Sequence, residues 1–111
     1  MFERIADNLE RYMGLLSARQ KLVASNIANA DTPGYKTRDI DFQAEFQRRI
    51  DGAAPQVMEP DLATKNDGNN VSLDRETRLL AETGIRFQMA SLLARGQLRQ
   101  IKTAIQEGRN G

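Results

Sequence analysis

The 111-residue chain contains no cysteine, no histidine and no tryptophan. Without cysteine there is neither a disulfide framework nor a thiolate metal site. Without histidine the usual general base near neutral pH and the commonest metal ligand are both missing. An excess of one charge is lacking too: 16 Lys and Arg face 15 Asp and Glu, a formal net charge of +1. No overall field therefore draws the chain to nucleic acid or to an anionic membrane. No apolar run approaches the length of a membrane span, so direct membrane insertion is not expected. The opening MFERIADNLERYMGLL has early acidic residues and no apolar core segment, so it does not read as a cleavable Sec-type signal. Carboxylates are plentiful, but no acid–base pair, phosphate loop or nucleophile constellation is present. An enzyme is not expected, and no catalytic, metal or cofactor site is assigned. Asp67-Gly68-Asn69-Asn70 has the donors of a calcium loop but not its pattern: Val71 and Lys65 stand where ligands belong. It reads as a linker turn.

The remaining sequence is organised in three parts within one domain. Residues 1–30 read as an amphipathic helix. Phe2, Ile5, Leu9, Tyr12 and Leu16 recur at steps of three and four, and Val23, Ile27 and Ala30 resume the stripe. Arg19 and Asn26 interrupt a strict heptad, so this is not a plain two-stranded zipper. A straight helix of this length would span about 43 Å. It should stop near residue 30, because Pro33 pushes Thr32 out of the α region. Pro33-Gly34 suits the two central positions of a type II turn, whose second residue needs positive φ. Asn29 or Asp31 is placed to close the last helical turn.

Residues 31–72 hold that turn, a short helix and a flexible loop. Phe42, Phe46 and Ile50 fit a helix from about Asp41 to Ile50, capped by Asp39 or Asp41, although Ile40, Phe42, Ala44 and Phe46 also alternate as in a strand. DGAAPQVMEPDLATKNDGNN (51–70) is loop-like, with two prolines and a polar tail. Residues 73–111 return to helix, from about 73 to 106, with Ser72 or Asp74 as cap. Leu73, Leu80, Phe87, Ala94 and Ile101 fall seven apart, as do Gly84, Ser91, Leu98 and Ile105. Ile85, Met89, Leu92 and Gly96 form a further row. Each interior glycine costs a helix roughly 1 kcal/mol relative to alanine, a cost that close approach of another helix would offset.

The fold expected is mainly α: long N- and C-terminal amphipathic helices packing as a coiled-coil-like hairpin, with a short loop-rich middle. Two helices make a narrow core, and small single domains are marginal. Either the hairpin buries itself as a small monomer, or its faces complete their packing against neighbouring copies. The width of both apolar faces favours the second.

ASNIANADTPGYK (24–36) resembles the N-terminal signature of the flagellar axial proteins, the rod, hook and hook-associated subunits. Ala28, Asn29, Thr32, Pro33, Gly34, Tyr35 and Lys36 all match that motif. TRDIDF (37–42), DGNNVSLDRE (67–76) and LAETGIRFQMASLLARGQLRQIKTAI are similar to the proximal-rod branch of the family, so the resemblance covers most of the chain. Region 51–66 is short for that family, and Gly84 and Gly96 stand where better helix formers are expected. The resemblance implies a structural, non-catalytic subunit of the basal-body rod, assembling through its terminal helices into a tubular shaft that transmits torque. It implies export by the flagellar type III apparatus without a cleavable signal, and a periplasmic place in the rod. The partners implied are other copies of itself, rod proteins such as FlgC, the adaptor FliE and the MS-ring protein FliF. Another proximal rod protein such as FlgC, or a non-catalytic helical adaptor or export-chaperone-like module, are the alternatives.

The subunit interface is accordingly expected at Ile5, Leu9, Tyr12, Leu16, Val23, Ile27, Leu80, Phe87, Ala94, Leu98, Ile101 and Ile105. The family turn comprises Asn29, Thr32, Pro33, Gly34, Tyr35 and Lys36, with Tyr35 and Lys36 projecting toward a neighbour or serving only as a terminator. Arg95, Arg99 and Lys102 make a basic row, read as a solvated face in preference to a partner for an acidic row on another subunit or on the same chain. Glu3, Asp7 and Glu10 make an acidic one. Arg38, Asp39 and Asp41 read as capping and surface charges or as inter-subunit pairs.

Overall fold

A computed structural model describes residues 2–48 and 53–110. The elements in order are α1 (Phe2–Ala28), β1 (Asp39–Ile40), α2 (Phe42–Arg48), β2 (Val57–Met58) and α3 (Leu73–Asn110). α1 and α3 pack along one another. They run antiparallel: Asn26 near the end of α1 meets Glu76 near the start of α3, while Leu9 shares a groove with Leu98 and Ile101. The molecule measures 71 × 25 × 15 Å, a two-helix rod with a small attachment.

α1 ends at Ala28, two residues before the end expected. The Asn29 side-chain amide donates to Ser25 O at 2.9 Å and occupies a carbonyl at the helix terminus. The chain then reverses through Thr32-Pro33-Gly34-Tyr35. Tyr35 N–H donates to Thr32 O at 3.2 Å and Gly34 has φ 75°, the geometry of a type II turn.

α2 begins where Asp41 accepts from Ala44 N–H through its carboxylate at 3.2 Å. It lies on α1, with Phe42 and Phe46 edge-on to the Tyr12 ring at centroid distances of 5.5 and 5.7 Å. Ile50, expected to end this helix, is outside the described residues. The stretch read as loop contains one strand: Val57-Met58 pairs antiparallel with Asp39-Ile40. Two residues are too short to leave an alternation in the sequence.

α3 is capped by Ser72, whose hydroxyl accepts from Arg75 N–H at 3.3 Å. It runs unbroken through Gly84 and Gly96 to Asn110, beyond the expected end at 106. A Cβ at either glycine would meet nothing within 4 Å. The close helix contact expected to justify them is therefore absent among the described residues.

The core is thin. Among the described residues the buried apolar ones are Leu15, Leu16, Val23, Ala30, Ile40, Val71 and Ala90. At about 1.5–3 kcal/mol for each large side chain, they hold the hairpin with little to spare. At least as many polar side chains are buried, among them Asn26, Thr37, Asp39, Asn69, Asn70 and Glu76. They gather at one end of the rod.

Candidate functional site

At that end the Thr-Pro-Gly turn, β1, the 65–71 segment and the facing ends of α1 and α3 interlock through a polar clasp. Asn26, 1% exposed, is its hub. Its amide donates to Arg38 O at 2.8 Å and to Glu76 Oε1 at 2.9 Å. Its carbonyl accepts from Arg38 N–H at 3.1 Å and from the Tyr35 hydroxyl at 3.0 Å. An asparagine in the middle of an apolar stripe is costly unless every polar atom is matched; here both ends of the amide are.

Asp39 forms the second knot. Arg19 of α1 grips it with Nε and Nη2, both at 3.1 Å, and Arg75 of α3 donates Nη2 to Oδ2 at 2.6 Å. Arg75 Nη1 also reaches Glu76 Oε1 at 3.0 Å. Burial pushes the Asp39 carboxyl up, but hydrogen bonds from Arg19, the Ile40 backbone and Arg75 outweigh it and hold the group below its ordinary value. For Glu76 the balance is reversed. Burial raises it, the nearby Asp39 charge adds to the rise, and Arg75 and Asn26 only partly oppose it. Glu76 Oε2 is buried without a hydrogen-bond partner among the described residues.

The 65–71 segment is tied to the turn it faces. Gly34 N–H donates to Asp67 O at 2.9 Å and Asn70 N–H to Tyr35 O at 3.2 Å. Asn69, fully buried, donates its amide to Asn29 O and Thr32 O. Thr37 N–H reaches Asn70 Oδ1 at 2.6 Å. Gly68 has φ 86°, and a Cβ there would lie 3.3 Å from Gly34 Cα. The two turns are thus one unit. The reading of 67–70 as a simple linker turn within a flexible loop is corrected accordingly. So is the projection of Tyr35 and Lys36: Tyr35 turns back to Asn26, and Lys36 Nζ donates to Gly68 O at 2.7 Å. Among the described residues no acidic group of three or more is arranged to hold a metal ion, and no helix is long and apolar enough to cross a membrane.

The clasp fixes the angle at which the helices present their sides. Leu16 and Val23 are enclosed between elements of the chain itself, at 2% and 1% exposure. Tyr12 is half-buried against α2. Leu9, Ile27, Ala94 and Ile101 are half-buried. Ile5, Leu80, Phe87, Leu98 and Ile105 are exposed, as are Ile85, Met89, Leu92 and Leu93. Shallow apolar grooves lie between the helices. One of about 400 Å³ is lined by Leu9, Met13, Leu98 and Ile101, and another lies beside Leu16 and Phe87. The sequence reading missed Arg19, Asn26, Asp39, Asn69, Arg75 and Glu76 as a constellation. Its one trace was the pair of polar residues, Arg19 and Asn26, seven apart inside an apolar stripe.

Residues 13–36, α1 from Met13 onward together with the Thr-Pro-Gly turn, match the family model described as flagella basal body rod protein. The chain is 33% identical to the flagellar basal body rod protein FlgB of Escherichia coli K12, over 86% of this chain and 88% of that one. It is 30% identical to FlgB of Yersinia ruckeri, over 86% and 89%. With FlgB of Bacillus subtilis 168 the identity is 28%, over 98% of each chain. A helical hairpin with a clasped turn, large apolar side chains on its outside, and sequence kinship along most of its length converge: this chain belongs to the FlgB family of flagellar basal body rod proteins, structural subunits of the rod.

Proposed function

We propose that the chain works without catalysis in the proximal rod, where neighbouring subunits cover the outer faces of its helix pair and build the tubular shaft that transmits torque. The observation that carries this is the exposure of Leu98 at 59%, Ile105 at 58%, Phe87 at 40% and Leu80 at 38% on a hairpin whose own core is thin. Contiguous exposed apolar surface marks an interaction site. Leu9, Ala94 and Ile101 extend the same surface beside Leu98, Ile5 lies with Leu92 and Leu93 along a second groove that shares Leu9, and Ile27 sits toward the clasp end of α1. Leu16, Val23 and Tyr12 support it from within. The turn residues Asn29, Thr32, Pro33, Gly34, Tyr35 and Lys36 set its orientation.

Its partners in this reading are copies of itself, rod proteins such as FlgC, the adaptor FliE and the MS-ring protein FliF. The chain reaches a periplasmic position through the flagellar type III export apparatus. The test is an electron-microscope reconstruction of isolated basal bodies with this chain's helices traced. Helices of this length and register in the proximal rod support the reading. A protein that stays in the cytosol as a small soluble oligomer, with rods complete in its absence, overturns it in favour of an adaptor.

A further inference from the structure

We propose that two rows of charge on opposite edges of the hairpin are the two halves of one contact between neighbouring copies of this chain; the inference rests on the rod-subunit reading above and names how copies meet. Glu3, Asp7 and Glu10 lie on α1, and Arg95, Arg99 and Lys102 on α3. Each set is spaced by four residues and then three, the spacing that aligns side chains along one side of a helix. All six residues are exposed. None of them makes an ion pair with another described residue. The exposed pairs among the described residues are local ones within α3, Asp74–Arg78 and Glu82–Arg86.

Their placement is complementary in height as well as in sign. Leu9 and Met13 share a groove with Ala94 and Leu98, and this fixes the antiparallel register. It sets residues 3–10 level with residues 95–102 along the rod. At about 100° per residue, Glu3 and Asp7 fall on the outer side of α1, Glu10 lies at the rim of the groove beside Leu9 and Met13, and the basic row falls on the outer side of α3. The apolar groove lies between them. A neighbour placed alongside, pointing the same way, brings Lys102 opposite Glu3, Arg99 opposite Asp7 and Arg95 opposite Glu10, with no sliding along the axis.

The occupant of each edge is therefore a second copy, joined head to tail. Such a contact leaves one acidic and one basic edge unused and repeats into a ring or an open helical file. A two-fold dimer joined at either edge would oppose like charges along the whole row, which disfavours it.

Two experiments test this, with immunoblots of isolated basal bodies to show that the chain is present. The first is charge exchange. The triple variant E3K, D7K, E10K and the triple variant R95E, R99E, K102E should each lower the number of completed rods about tenfold, the scale of three exposed pairs of ordinary strength. The six-residue exchange in one chain should restore them. The second is crosslinking of the doubly substituted chain D7C, R99C. The parent has no cysteine, so oxidation should give a ladder of covalent oligomers of this chain alone. The ladder also decides the matter should a triple variant lose its helicity. Rods built at parental numbers by a triple variant, failure of the exchanged chain to recover while still helical, or the absence of a ladder in basal bodies that contain the chain would each overturn this contact and leave the rod assignment standing. Absence of the parent chain from basal bodies would overturn the assignment and the contact together.

Discussion

Arg75 Nη2 lies 2.6 Å from Asp39 Oδ2, a bond between residues 36 apart in sequence that ties the first turn of α3 to β1. Arg19 holds the same carboxylate from α1. Removing it leaves two guanidinium groups in a largely buried site with their shared partner gone. Asp39→Ala should therefore cost about 3–5 kcal/mol, the range for breaking a buried pair from one side, read as a lower urea midpoint. A loss below about 1 kcal/mol would mean that water replaces the carboxylate.

Asp39 and Glu76 should give opposite slopes to stability against pH. Asp39 titrates lower in the folded chain than in the unfolded one. Its contribution is present above the unfolded value and is lost as pH falls through the folded one. Glu76 titrates higher when folded, so its contribution is greatest below the unfolded value and is lost as pH rises through the folded one. Glu76→Gln should therefore gain on the parent as pH rises above the ordinary glutamate value of 4.5, whereas Asp39→Asn should lose the acid-side decline. Thermal melts from about pH 7 down to about pH 2 check both; a Glu76→Gln chain that falls behind the parent toward neutrality contradicts the assignment.

Leu16→Asp and Leu98→Asp should fail in different ways. Leu16 is 2% exposed and Leu98 is 59% exposed. An aspartate at 16 is buried without a partner, and the subunit should lose several kcal/mol, roughly the cost of a buried unpaired charge. At 98 the isolated subunit should melt within about 0.5 kcal/mol of the parent while motility and completed rods are lost. Motility retained by the Leu98 variant would remove that residue from the interface.

The two turns offer a paired test. Gly34 and Gly68 both have positive φ, which a β-branched residue resists by about 1–3 kcal/mol. Gly68 also has the Gly34 backbone against it. Gly34→Val and Gly68→Val should each stop rod completion, because a misdirected turn recurs in every copy. Lys36→Ala removes one hydrogen bond to Gly68 O and should cost about 1 kcal/mol, with rods still formed. Soft-agar motility and rod counts rank the three. A Gly68 variant milder than Lys36→Ala would show that the two turns do not act together.

Much of this architecture was legible beforehand because it rests on local rules. The helices announce themselves by apolar residues at steps of three and four. The Thr-Pro-Gly turn follows from one fixed φ and one residue free to adopt positive φ. The clasp was not legible, because Asn26 and Glu76 are 50 residues apart and side-chain hydrogen bonds leave no period. Asp39 read as a surface or capping charge, since nothing beside it in sequence shows that two arginines from distant helices converge on it. The apolar stripe also could not distinguish Leu16, which the chain buries, from Leu98, which it leaves outside. Both fit a helical repeat equally well.

The location of the clasp also sets an order of folding. Its Asn26–Glu76 bond closes a loop of 50 residues, whereas first contact at the other end of the hairpin would close a longer one, at an additional entropic cost of roughly half a kcal/mol. Once the clasp has formed, each further contact between α1 and α3 requires only the ordering of the next turn. Assembly of the hairpin should thus proceed as a zipper that starts at residues 26 and 76 and advances toward residues 3–10 and 95–102. The last segments to close are the first to open, so hydrogen exchange should be slowest near the clasp and quicken steadily toward the two chain ends.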